Sequence, residues 1–288
     1  MIADFLASWA LFHNTYLVGW LIGLLLALIG VLVVARDQIF IGAAVSQAST
    51  LGIAIALGVG SWAALETVHW LHSELFLSAM AVVCSIIAAL LTSRSGDLGQ
   101  ESHEAVTGWV FLVSASVSVL IVAHSPHGLN EIHRLMSSSI IGATRSDVWL
   151  FAVLGLCTAI AIGIYQQRIL LFTMDPAMAA AVGIKVVWMS ALLSAWLGLA
   201  VGLSIRVSGM LYTFGCLVLP ALVAKNICRE VRPMFAVAPL VAVCAATVGF
   251  VLANYFDDPP AQMTVALLCL LVAIAWLVRR VRRSRDST

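Results

Sequence analysis

Two groups of imidazole and carboxylate side chains offer the clearest coordination chemistry in this 288-residue chain. Glu66, His69 and His72 recur at every third position, with Glu74 close behind. On a helix that spacing keeps the three side chains within about a third of the circumference. His124, His127 and His133, with Glu131, form the second group. Neutral imidazole and carboxylate suit zinc, manganese and iron, so a vestibule that hands such ions inward is one expectation. The other is that these residues anchor the chain at a membrane surface, as the neighbouring Trp62 and Trp70 suggest.

A different polar group, Ser46, Gln47, Ser49 and Thr50, interrupts an apolar run. Ser46, Ser49 and Thr50 stand at i, i+3 and i+4 of a helix. They are expected either to line a polar path, with Gln47 its best candidate, or to bond to helix carbonyls as membrane hydroxyls commonly do. The six cysteines show no CxxC spacing, which argues against a thiolate metal site, and they fall in or beside apolar runs, which argues against a disulfide framework.

These residues are carried by segments of bilayer-crossing length. Hydrophobic residues make up 62% of the chain and charged ones 10%, against about a quarter charged in a soluble domain. An apolar helix of about 20 residues crosses the hydrocarbon core with its backbone hydrogen bonds satisfied internally. Nine spans are expected: Tyr16 to Ala35, Ile39 to Val59, Leu75 to Leu91, Val106 to Ala123, Val148 to Ile164, Val186 to Ile205, Gly209 to Ala224, Met234 to Ala253 and Thr264 to Val278. The number becomes eight if the first region, or the sixth-to-seventh region, is re-entrant. The fold class is therefore an all-α polytopic bundle of eight to nine transmembrane helices. It forms a single transmembrane domain over 1–288, with an interfacial segment at 1–15 and a basic tail at 279–288.

Positive residues near span ends stay cytoplasmic. One set of alternate loops holds Arg36, Arg94, Arg168, Lys185, Lys225, Arg229, Arg232 and the arginines of the tail; the other holds only Arg134, Arg145 and Arg206. The C-terminus is thus expected inside and, with nine spans, the N-terminus outside. Both histidine groups then fall on the outer side. Residues 1–15 lack Lys and Arg, so the first span is expected to be a retained anchor rather than a cleaved signal. The net charge of +1 gives no reason to expect a nucleic-acid partner.

Span interiors hold essentially no ionisable residues, which argues against a proton-driven transporter. No GxxxxGK[ST] loop is present, so no nucleotide site is expected here and any ATP must be used by a partner subunit. Within 166–185, Asp175 can cap a helix, Pro176 suits its first turn and Gly183 can end it. A short cytoplasmic helix exposing Met174, Met178 and Val182 would leave apolar surface in water unless it lies on the membrane or docks into a partner's groove.

These features carry a resemblance. Asp175-Pro176 with Gly183, Val207-Ser208-Gly209-Met210-Leu211 leading to Leu217-Val218-Leu219-Pro220-Ala221, and Tyr255 through Asp258-Pro259-Pro260 together resemble the permease subunits of ATP-binding-cassette importers for manganese, zinc and iron. The resemblance covers nearly the whole chain. It implies a bacterial inner-membrane permease that is not itself an enzyme. It also implies a cytoplasmic ATPase engaged through Asp175, Pro176 and Gly183, a second permease of the same or a sister kind, and an extracytoplasmic metal-binding protein. In that family a Gly-Asp-Ala-Leu-Ser-His-Ala motif early in the second span carries the expected metal ligands. This chain reads Gly42-Ala43-Ala44-Val45-Ser46-Gln47-Ala48. Ala43 has no donor and Gln47 offers a neutral amide, so that ligand pair cannot form here. A chelated metal as cargo together with pairing to a more complete sister permease is the expectation, and ligands supplied from elsewhere are the alternative. The alternatives are a transport-inactive scaffold or regulatory subunit and, more distantly, a passive channel.

Overall fold

The structure, a computed structural model, describes residues 2–60, 74–94, 102–123 and 140–286. They form α1 (Ile2–Ala35), α2 (Ile39–Gly60), α3 (Glu74–Arg94), α4 (His103–Ala123), α5 (Arg145–Met174), α6 (Pro176–Ala181), α7 (Val186–Ile227), α8 (Val231–Phe256) and α9 (Pro260–Asp286), with a single 3-10 turn at Ile140–Gly142. No strand occurs among the described residues. Eight of the helices are long and apolar enough to cross a bilayer.

The sidedness of these helices is opposite to that of a soluble protein. In α4 the buried stripe is Thr107, Val110, Ser114, Ser118 and Val122, whereas Trp109, Leu112 and Leu120 are all at least 60% exposed. In α5 Phe151, Gly155, Thr158 and Ile162 face in, and Trp149, Leu156 and Ile164 face out. Burying small polar residues and exposing large apolar ones would be unstable in water. It is the stable arrangement where the solvent is lipid and close backbone contact holds the bundle together.

Expected spans six and seven are two helices that meet at Gly209 without an intervening loop. Both lie in the 42-residue α7, broken only at Gly209, whose φ of 79° and ψ of 169° are non-helical. Arg206, expected in an outer loop between them, therefore lies inside α7, three positions before the break. The N-terminal segment 1–15, expected to be a distinct interfacial piece, is from Ile2 onward continuous with α1.

The chain divides into two compact units. In the first (α1, α5, the second arm of α7, α8 and α9), α1 packs on α5 and α8, and α9 packs on α8. Tyr212 Oη donates to the Gly19 carbonyl at 2.9 Å, the backbone of Leu217 lies against Gly30, and Lys225 reaches the Val34 carbonyl at 3.4 Å. The second arm of α7 thus runs parallel to α1. α5 starts on a capping box: Thr144 N and Oγ1 donate to Asp147 Oδ2 at 2.9 and 2.7 Å, and Asp147 N donates back to Thr144 Oγ1 at 3.4 Å.

In the second unit (α2, α3, α4, α6 and the first arm of α7), α2 packs on α3 and α4. Ser93 and Ser190 share a hydrogen bond of 2.5 Å, Ser85 Oγ donates to the Gly198 carbonyl at 2.6 Å, and Gly202 lies against Val82. The first arm of α7 therefore runs antiparallel to α3. A Cβ at Gly198 would stand 2.7 Å from Ile86 Cα, so the small residues Gly198 and Gly202 let the two helices approach closely within one chain.

Candidate functional site

Two places assemble from the residues singled out in the sequence. The first is the link between α5 and α7. Asp175 Oδ1 accepts from Met178 N at 2.9 Å, Pro176 occupies the first turn of α6, and Gly183 stands at φ 88°. The cap satisfies one of the backbone donors a helix start leaves free. The positive φ ends the helix at a residue without a Cβ. Met174, Met178 and Val182 are 64%, 56% and 67% exposed. A six-residue helix is too short to persist by propensity alone; here it is fixed at both ends and presents an apolar surface.

The second place is α2. Ser46 and Ser49 are 1% and 0% exposed, and neither hydroxyl has a hydrogen-bond partner. Thr50 Oγ1 instead donates to its own helix, to the Ser46 carbonyl at 3.2 Å. Gln47 Nε2 donates to Met210 Sδ at 3.1 Å, a weak acceptor. Gln47 and Thr50 share with Ala43 a half-buried stripe, while Ser46 and Ser49 sit on the fully buried side. The four residues thus divide into a half-open amide and hydroxyl, both engaged, and two enclosed hydroxyls with unused bonding capacity.

Glu66, His69, His72, His124, His127 and His133 lie outside the described residues. Among the described residues, no three His, Cys, Asp or Glu side chains converge into a group that could hold a metal ion. The α2 site is accordingly built from amide, hydroxyl and thioether groups.

The helix ends assigned to one side of the membrane by their positive residues do meet in the first unit. The Arg36 guanidinium lies 4.2 Å from the Phe172 ring centroid, and burial lowers its pKa below the usual arginine value. Lys225 pairs with Asp37, which adopts a left-handed φ of 54° just beyond α1. Arg279 Nη1 donates to Asn226 Oδ1 at 3.1 Å. The ends of α1, α5, α7 and α9 are thereby tied together. Sequence reasoning missed Met210 and Asp37 as partners. Met210 stood out only as part of the Val207 to Leu211 segment, with nothing to link it to Gln47.

Eight helices of bilayer-crossing length and apolar composition define a multi-pass membrane protein. Residues 8–279 match the model of the ABC 3 transport family, and the chain belongs to that family. It is 22% identical over 273 residues to the manganese transport system membrane protein MntC of Halalkalibacterium halodurans, covering 95% of this chain and 89% of that one. It is 21% identical over 264 residues to the chelated iron transport system membrane protein YfeD of Yersinia pestis, covering 92% and 84%. Among solved structures, PsaBC from Streptococcus pneumoniae in complex with Fab shares its fold, with a TM-score of 0.78 at 17% identity over 96% of this chain and 95% of that one.

Proposed function

We propose that this chain is the membrane permease subunit of an ATP-binding-cassette importer for a divalent metal ion, manganese, iron or zinc, or for its chelate. It resides in the bacterial inner membrane with its C-terminus in the cytoplasm. The observation that carries the coupling role is α6, a capped and glycine-terminated helix whose Met174, Met178 and Val182 stay exposed. An ATPase groove that buries those side chains would transmit its closure to α5 and α7, which flank the helix in sequence. ATP is bound and hydrolysed by that partner. A second permease copy or a sister chain completes the pore, and an extracytoplasmic metal-binding protein delivers the cargo.

At the α2 site the absence of a carboxylate and imidazole pair at Ala43 and Gln47 favours a chelate over a bare ion. An amide, three hydroxyls and a thioether bind a hard or borderline divalent cation poorly, but they suit a ligand-wrapped metal. The same substitution favours, as a second reading, a scaffold or regulatory subunit that no longer transports. Purification in mild detergent, with mass spectrometry of what co-purifies, tests the proposal. An ATPase recovered with the wild-type chain and lost with M178E supports it. An unchanged set of partners in M178E removes α6 as the coupling element. The A43D/Q47H double variant tests the scaffold reading: gained uptake of bare manganese or zinc indicates an intact path and overturns the scaffold, and no gain argues for another cargo or role.

A further inference from the structure

We propose that Asn226, Trp276, Arg279 and Arg280 form a binding site for the phosphate of an anionic phospholipid headgroup. These four residues line one open pocket where the second arm of α7 ends beside α9. Among the described residues, the lining holds two guanidinium groups and no carboxylate. Arg279 is aimed by a neutral partner: its Nη1 donates to Asn226 Oδ1 at 3.1 Å, and Asn226 Nδ2 is itself anchored on the Leu222 carbonyl at 2.8 Å. A guanidinium oriented by an amide keeps both its charge and its remaining donors. Its planar fork matches phosphate oxygens in a way that an ammonium does not.

The two helices that carry the pocket are packed together: buried Val223 of α7 clusters with Val272 and Ala275 of α9, against Leu219 and Leu222. Register between Asn226 and Arg279 is thereby held. On the outside of α9, Leu270, Ile274 and Leu277 are 56%, 49% and 64% exposed and follow one another at i, i+4 and i+7. That stripe leads to Arg280, one turn beyond Leu277. An acyl chain lying along it would bring its headgroup to the two arginines, and Trp276 supplies the amphipathic ring that favours the headgroup level. Free inorganic phosphate would satisfy the guanidinium groups alone; the apolar stripe is what selects a lipid.

The test is native mass spectrometry of the complete detergent-purified chain, with its co-purifying subunits, titrated with phosphatidylglycerol, phosphatidylcholine or inorganic phosphate. Salt near 1 M, where the Debye length is about 3 Å, suppresses diffuse attraction. The expected result is preferential retention of phosphatidylglycerol over phosphatidylcholine. With about fivefold per arginine, R279Q/R280Q should lower it by roughly 25-fold. N226A, which keeps both charges, should lower it by about fivefold through lost orientation and keeps the test valid if the double variant does not fold. R282Q/R283Q/R285Q should leave the preference nearly intact. Equal retention of the two lipids would overturn the proposal. So would a loss confined to the tail variant, displacement of the lipid by inorganic phosphate, or exclusion of lipid by a bound ATPase.

Discussion

Ser46 and Ser49 contribute no hydrogen bond that their removal would break, yet both are enclosed. Burying an unpaired hydroxyl costs about 1–3 kcal/mol. S46A and S49A should therefore hold or raise the melting temperature in detergent while lowering uptake if the hydroxyls serve cargo; a drop in melting temperature would show that they hold the fold. Lys225 has the opposite character. It pairs with Asp37 and reaches the last turn of α1, but the carboxylate is 80% exposed. An exposed pair contributes less than about 1 kcal/mol, so K225M should shift the melting temperature only slightly. At this scale the sequence was a partial guide. The cap Asp175 and its glycine were legible because capping depends on local backbone geometry. The Gln47 to Met210 contact was not, since 163 positions separate the partners.

At the scale of the helices, Gly209 is the decisive position. Its φ of 79° with ψ of 169° falls in a region essentially closed to residues with a Cβ, where strain of about 1–3 kcal/mol applies. G209A should destabilise the chain by that order, read as a lower melting temperature. The apolar runs made the arms of α7 legible as spans. Their joining was hidden, because a single glycine and a flanking Arg206 resemble a loop in hydropathy although the backbone needs only one residue to turn. Glycine spacing was informative in a different way. Gly198 and Gly202 read as close-packing residues, and the structure supplies the surface they meet, α3, which no local pattern encodes.

For the whole molecule, composition and charge pattern were enough to read an all-α membrane bundle, because lipid imposes helices and leaves few other solutions. Which helix ends meet was not legible, because the pairs Arg36 with Phe172, Lys225 with Asp37 and Arg279 with Asn226 join residues far apart in the sequence. Cargo identity was not legible, because it rests on few side chains, and two of those positions, Ala43 and Gln47, depart from the pattern the resemblance implies. The central claim is that the chain carries metal inward under the control of an ATPase engaged at α6. Elemental mass spectrometry of metal-limited cells tests it most directly, comparing a strain lacking the chain with strains supplied with the wild type or with M178E at equal membrane abundance. The account predicts that manganese, iron or zinc content falls without the chain, returns with the wild type and does not return with M178E. Unchanged content of all three metals in every strain would contradict it.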